Sequence, residues 1–142
     1  MNKGEREFKS KWWSVRLPIG WQATESKECV TLQGTRLPSA LQISAAIKDA
    51  GLVTDEDLTE FATERLGERI ALHEAALPEF AGFWAERVEN GTYWQEWWLR
   101  HGNVLVYVTY NINEAFQKSE SAEVSNIVRS LKPLNEVEDS VS

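Results

Sequence analysis

Apolar and polar residues alternate through one long stretch of the chain, residues 80–112, and two glycine-containing turns divide it. Asn90-Gly91 lies between two runs rich in aromatic and branched side chains, which is the strongest short signal for a β-hairpin. Gly102-Asn103 marks a second turn of the same kind. Four of the seven tryptophans of the chain fall in this stretch. We therefore predict three consecutive antiparallel strands, a meander.

Two-residue turns would fix the register of this meander. Glu89 would then face Thr92, and His101 would face Val104. Because side chains alternate between the two faces of a strand, this pairing sorts the meander into two sets. The first set is almost continuously apolar, and we name it the apolar face. It comprises Trp84, Val88, Tyr93, Trp97, Leu99, Val106, Val108 and Ile112.

The opposite set, here named the mixed face, combines aromatic, charged and amide side chains. It comprises Phe83, Arg87, Trp94, Glu96, Trp98, Arg100, Leu105, Tyr107, Thr109 and Asn111. One interpretation is that a helix or loop covers this face and makes a three-layer domain. The other is an open aromatic platform, because aromatic residues and Arg are over-represented where proteins bind partners. The partner-binding residues would then be Phe83, Arg87, Trp94, Glu96, Trp98 and Tyr107.

The rest of the chain supplies further strands and two helices. The predicted strands cover residues 11–17, 29–33, 40–48 and 69–77. Thr54, followed by a run of acidic residues, is typical of a helix start, because its side chain can cap free backbone N–H groups. A second helix is predicted over residues 113–131, and Pro133 would end it.

These elements predict a single α+β domain over residues 1–142. It would consist of an antiparallel sheet of about six or seven strands with helices packed on it. The core would span about residues 12–132, while the polar residues 1–11 and the acidic tail 134–142 would be loose. A chain of 142 residues has enough apolar side chains for such a core.

Charge and composition exclude several classes of partner. The net charge of −7 argues against nucleic acid, whose binders need a basic patch. The same charge gives no support for binding to an anionic membrane. Cys29 is the only cysteine, which fits a reducing compartment. No segment resembles a signal peptide or a membrane span, so we expect a cytoplasmic protein.

Candidate catalytic or metal-binding residues are sparse. His73 and His101 have no companions at the spacing of metal ligands. The predicted register puts the two carboxylates Glu86 and Glu96 on opposite faces, which separates them as an acid/base pair. It also places Glu96 diagonal to Arg87, within reach of an ion pair. We therefore expect no metal, no cofactor and no enzymatic activity.

Several local motifs resemble those of one family. They are Leu17-Pro18-Ile19-Gly20-Trp21, Thr54-Asp-Glu-Asp-Leu-Thr-Glu-Phe, Phe80-Ala-Gly-Phe, Gly102-Asn103-Val-Leu-Val-Tyr-Val-Thr-Tyr and Ile127-Val-Arg-Ser-Leu. On these motifs the chain resembles the PsbP-like superfamily over about residues 12–131. The resemblance implies an antiparallel sheet with helices packed on it. That fold is shared by the photosystem extrinsic subunit, a Ran-binding nuclear import factor and many small bacterial proteins.

Among the bacterial members, the chain is similar to the chaperones that escort effectors of type VI secretion systems. This resemblance implies non-enzymatic binding of a partner protein, such as a secreted effector, through the sheet surface. The residues involved would be Phe83, Trp94, Trp98 and Tyr107 as apolar anchors, with Gln42 and Ser44 as hydrogen-bond donors. One alternative is an immunity protein that neutralises a secreted toxin. Others are a small-molecule binding protein or enzyme with an aromatic pocket, and a homodimer formed through the aromatic residues.

Overall fold

The computed structural model describes residues 4–134, which fold into two antiparallel sheets and two α-helices. The strands are β1 Arg6–Lys9, β2 Trp13–Leu17, β3 Trp21–Glu25, β4 Val30–Gly34, β5 Ala40–Ile47, β6 His73–Ala76, β7 Ala81–Glu89, β8 Thr92–His101, β9 Val104–Asn113 and β10 Lys132–Pro133. The helices are α1 Asp55–Leu66 and α2 Ser121–Arg129, with a 3₁₀ turn at Glu114–Phe116. Seven strands form the main sheet in the order β3-β4-β5-β9-β8-β7-β6, and β1-β2-β10 form a small sheet. The predicted α+β class and its antiparallel sheet are confirmed.

The meander has the predicted register. Glu89 pairs with Thr92, and His101 with Val104. Asn90 and Gly91 have φ of 51° and 79°, which is the pattern of a type I′ turn. In the second turn only Gly102 has a positive φ, 59°, which is the pattern of a type II′ turn. Because both turns contain two residues, the apolar and mixed faces separate as the sequence predicts.

The apolar face of the main sheet forms the larger core. Leu99, Val106 and Val108 are fully buried in one cluster with Val15 of β2 and Ile127 of α2. Each large side chain buried there contributes roughly 1.5–3 kcal/mol to folding. The small sheet and α2 therefore make one outer layer of the domain.

Helix α1 makes the other outer layer, on the mixed face. The side chain of Thr54 accepts a hydrogen bond from the Asp57 N–H, and the Asp57 carboxylate accepts one from the Thr54 N–H. This capping box satisfies backbone donors that the first turn of the helix leaves free. Leu58 and Ala62 are fully buried toward β7 and β8. A helix therefore covers part of the mixed face, as the three-layer interpretation predicts.

Some segments differ from the predicted elements. Residues 6–9 form a strand paired with β2 instead of a loose end. Trp21–Glu25, which none of the predicted elements includes, forms the edge strand β3, whose residues are mostly exposed. The second helix is shorter than residues 113–131, because a 3₁₀ turn and segment 117–120 precede it. The tail beyond Leu134 lies outside the described residues. No helix in the described part is long and apolar enough to cross a membrane.

The three tyrosines share one arrangement, in which each phenol hydroxyl donates a hydrogen bond to a carboxylate. Tyr93 donates to Glu86 and Tyr110 to Glu120, each at 2.7 Å, and Tyr107 donates to Glu96. Burial, and then the neighbouring carboxylate, raises the pKa of all three phenols above the ordinary value. All three therefore stay protonated as donors at neutral pH.

We expect the free energy of unfolding to fall as the pH rises above about 10, the ordinary pKa of tyrosine. A group whose pKa is higher in the folded state stabilises the fold fully below its unfolded pKa, and this stability is lost at higher pH. Urea unfolding near pH 8 and near pH 11 would measure the loss, and Tyr107→Phe should make it smaller. Equal stability at both pH values would contradict the arrangement.

Candidate functional site

Helix α1 divides the mixed face into two halves. The covered half lies beneath the helix, where Leu58 and Ala62 cluster with Ala85 and Trp98. The rings of Phe61 on α1 and Tyr107 on β9 lie with their centroids 4.8 Å apart. The residues of the covered half are Phe83, Ala85, Trp98, Leu105 and Tyr107.

The position of Trp98 corrects the expectation that it contacts a partner. Its side chain is 0% exposed, so α1 leaves it no surface to offer. Its indole Nε1–H finds no hydrogen-bond acceptor among residues 4–134. Glu96 is also 0% exposed and cannot contact a partner directly. Phe83 and Tyr107 keep partial exposure at the margin of the helix.

An ionic seam marks the boundary between the two halves. The buried carboxylate of Glu96 accepts hydrogen bonds from Arg87, as the register predicts, and from the Tyr107 hydroxyl. Arg65, near the end of α1, approaches the same carboxylate with its Nε at 3.3 Å. Buried charges need this kind of pairing, because an isolated carboxylate in the interior is costly. The seam fixes the end of α1 at the middle of the sheet.

The open half lies beyond this seam. It consists of Arg87, Trp94 and Asn111 on β7, β8 and β9, together with Gln42 and Thr31 on β5 and β4, which lie in the register row of Glu96. The guanidinium of Arg87 lies 5.1 Å from the ring centroid of Trp94, a cation–π contact. Both side chains are half-buried, and Gln42 is exposed with its Nε2 3.3 Å from the Thr31 hydroxyl. Two predicted anchors, Arg87 and Trp94, and one predicted donor, Gln42, therefore lie on the open half. The other predicted donor, Ser44, pairs with Tyr107 and lies in the register row of Trp98, in the covered half.

The open half presents mainly neutral hydrogen-bonding groups. Apart from Arg87, which is paired with Glu96, its side chains are two amides, one hydroxyl and one indole. Such groups donate and accept hydrogen bonds without titrating near neutral pH. Five neighbouring strands make this half-face about 19 Å wide, at about 4.8 Å between strands.

A groove on the opposite face is a feature that the sequence did not indicate. It lies between β6 and α2 and has a volume of about 370 Å³. Trp84 and Trp97 line it together with Val124 and Val128 of α2. Periodicity places Trp84 in the core, and it packs against the core cluster, but it is only half-buried and also lines the groove. Strand alternation assigns a residue to a face and cannot show how far the covering helix extends.

No group of three or more His, Cys, Asp or Glu side chains within residues 4–134 is arranged to hold a metal ion. The imidazole of His73 stacks on Trp84 with ring centroids 4.5 Å apart, and His101 Nδ1 lies 2.9 Å from the Glu79 carbonyl oxygen. Both imidazoles therefore contact neighbouring groups of the fold.

Comparison with known proteins concerns the fold. No family model matches the chain, and no curated protein matches its sequence. A crystal structure from Bacteroides thetaiotaomicron VPI-5482 matches with a TM-score of 0.69 and 15% identity, over 94% of this chain and 50% of that chain. The chain thus spans about half the length of that protein. The solution structure of cyanobacterial PsbP (CyanoP) from Synechocystis sp. PCC 6803 matches with a TM-score of 0.50 and 12% identity, over 92% of this chain and 93% of that one. The chain has a PsbP-like fold.

Proposed function

We propose that the chain is a non-catalytic protein-binding module, an adaptor or chaperone, that receives a helix of a partner protein on the open half. The observation that carries the proposal is the placement of a partly accessible indole, Trp94, beside its cross-strand partner Asn111 and on the same face as the amide of Gln42. Aromatic side chains and Arg commonly supply the binding energy of interfaces. Polar neighbours then orient the partner.

The adjacent helix supports a helical occupant. α1 shows that this face accepts a packed helix, and the open half continues the same sheet beyond the end of α1. A width of about 19 Å matches a partner helix of about 13 residues, at 1.5 Å of rise per residue. Because the open half is mostly polar, the partner helix would present one apolar side chain to Trp94 within a polar surface.

The resemblance to effector chaperones of type VI secretion systems makes a secreted effector the first partner to test. An immunity protein would use the same surface and differ only in its partner, a toxin. The identity of the captured protein separates these two assignments.

Replacing Trp94 with alanine is expected to weaken partner binding by at least about tenfold, the effect of losing a central interface anchor. Gln42→Ala should weaken it less, because a neutral hydrogen bond contributes about 1 kcal/mol. The partner would be captured from the native host with the wild-type chain, purified, and titrated against each variant by calorimetry.

The matched control is Val88→Ala. Val88 is 49% exposed on β7 and points to the other face of the sheet. This variant should bind the partner as the wild type does, and all three variants should remain folded. Unchanged binding by both Trp94→Ala and Gln42→Ala would refute the open half as the binding surface.

A further inference from the structure

The groove between β6 and α2 has one wall made of backbone. β6 is the last strand of the main sheet, and only β7 pairs with it in the part of the chain that the structure describes. Leu77 donates its N–H to the Phe80 carbonyl, toward β7. Hydrogen-bonding groups alternate along an antiparallel strand, so the N–H and C=O of Glu74 and Ala76 point away from β7. No backbone group of residues 4–134 bonds to them there.

Both of these residues line the groove. Glu74 pairs with Phe83 and Ala76 with Ala81, so alternation places their side chains on the mixed face. An exposed strand edge of this kind is a template for a further strand. The backbone wall therefore complements the backbone of an extended peptide.

The remaining walls suit the side chains of such a peptide. Trp84 and Trp97 form an apolar floor, and Val124 and Val128 form the helix wall. Arg129, in the last turn of α2, lines the same groove and is exposed. It makes no ion pair with any residue between 4 and 134. In a chain with a net charge of −7, an exposed cation that has no ion pair among residues 4–134 favours an acidic side chain of a ligand.

We propose that the groove binds an extended segment of another protein. The segment pairs with the outer edge of β6, inserts an apolar side chain over Trp84 and Trp97, and directs an acidic side chain to Arg129. Strand addition at a sheet edge, with side-chain pockets beside it, is an established mode of peptide recognition. The site lies on the opposite face from the open half and does not depend on the partner proposed there.

Peptides that bind the full-length chain are selected from a displayed library of random ten-residue peptides. The affinity of each selected peptide is then measured by fluorescence anisotropy. We expect peptides in which an apolar residue lies close to Asp or Glu. Ala76→Pro removes the outward N–H and should weaken binding about tenfold. Its matched control is Ala23→Pro on β3. Ser26 donates its N–H to the Cys29 carbonyl, toward β4. Because these groups alternate along the strand, the N–H of Ala23 points away from β4, toward the outer edge of β3 at the other end of the sheet.

Two further pairs test the side-chain contacts. Arg129→Gln should weaken binding about three- to fivefold, as for an exposed ion pair, while Lys132→Gln should not. Ser125→Trp fills the groove and should abolish binding. Ala122→Trp, at an exposed position of α2 that does not line the groove, should have no effect.

The outcomes separate this site from the other possible occupants and from the open half. Failure to select peptides, or equal binding by Ala76→Pro and Ala23→Pro, overturns the proposal. So does a homodimer in sedimentation analysis that Ser125→Trp dissociates, because the occupant is then a second copy. Binding that appears only after residues 135–142 are deleted assigns the groove to the acidic tail and also overturns it. Trp94→Ala should leave peptide binding unchanged, because Trp94 lies on the opposite face of the sheet. If the groove binds no peptide, the proposed function of the open half is therefore not affected.

Discussion

Replacing Trp98 with alanine is expected to lower the free energy of unfolding by about 3–5 kcal/mol, the range for removing a buried Trp side chain. Trp98 is 0% exposed and lies in one cluster with Leu58, Ala62 and Ala85. Its removal would leave a cavity between α1 and the sheet that neither layer can close, because the Glu96 seam fixes the end of the helix. Urea unfolding followed by circular dichroism would measure the loss.

Two controls make the experiment specific. Trp98→Phe keeps an aromatic ring in the cluster and removes the unpartnered Nε1–H, so it should be clearly more stable than Trp98→Ala. Trp94→Ala removes a partly accessible ring and its contact with Arg87, and should cost clearly less than Trp98→Ala, because less buried surface is lost. Equal losses at the two tryptophans would contradict the division of the mixed face.

Replacing Gly82 with alanine is expected to destabilise the protein by about 4 kcal/mol or more, the range of severe core disruptions. A Cβ at this position would lie 2.0 Å from the backbone oxygen of Trp98 and 3.0 Å from Leu58 Cδ1. Both neighbours are held, the first in the ladder between β7 and β8 and the second under α1. The strands would have to separate to admit the methyl group.

The matched control for this substitution is Gly91→Ala. Gly91 has a positive φ of 79°, but a Cβ there meets nothing within 4 Å. Its cost should be limited to the backbone strain of about 1–2 kcal/mol. Thermal and urea unfolding of both variants would compare them. If Gly82→Ala were no more destabilising than Gly91→Ala, β7 and β8 could not approach each other as closely as the structure shows.

The meander and its register were predictable because their determinants are local. A two-residue turn at Asn90-Gly91 fixes the pairing of every residue on β7 and β8, and strict alternation then assigns each side chain to a face. The start of α1 was also predictable, since Thr54 and Asp57 satisfy the helix terminus with their own side chains.

The extent of the candidate site could not be predicted, because it depends on contacts between distant segments. Trp94 and Trp98 lie on the same face of the same strand, and only the docking of α1 buries one and leaves the other accessible. The partial exposure of Trp84 could not be predicted for the same reason. Its side chain belongs to the apolar face, but α2 packs on only part of that face. β3 was missed because only two of its five residues, Trp21 and Ala23, are apolar, which is too short an alternation to indicate a strand.

The most direct test of the divided face is hydroxyl-radical footprinting read by tandem mass spectrometry, on the free protein and on its complex with the captured partner. In the free protein Trp94 should be oxidised and Trp98 should remain unmodified. In the complex Trp94 should become protected, while Trp84 on the opposite face stays reactive. Oxidation of Trp98 as fast as Trp94 in the folded protein, or an unprotected Trp94 in the complex, would contradict the account.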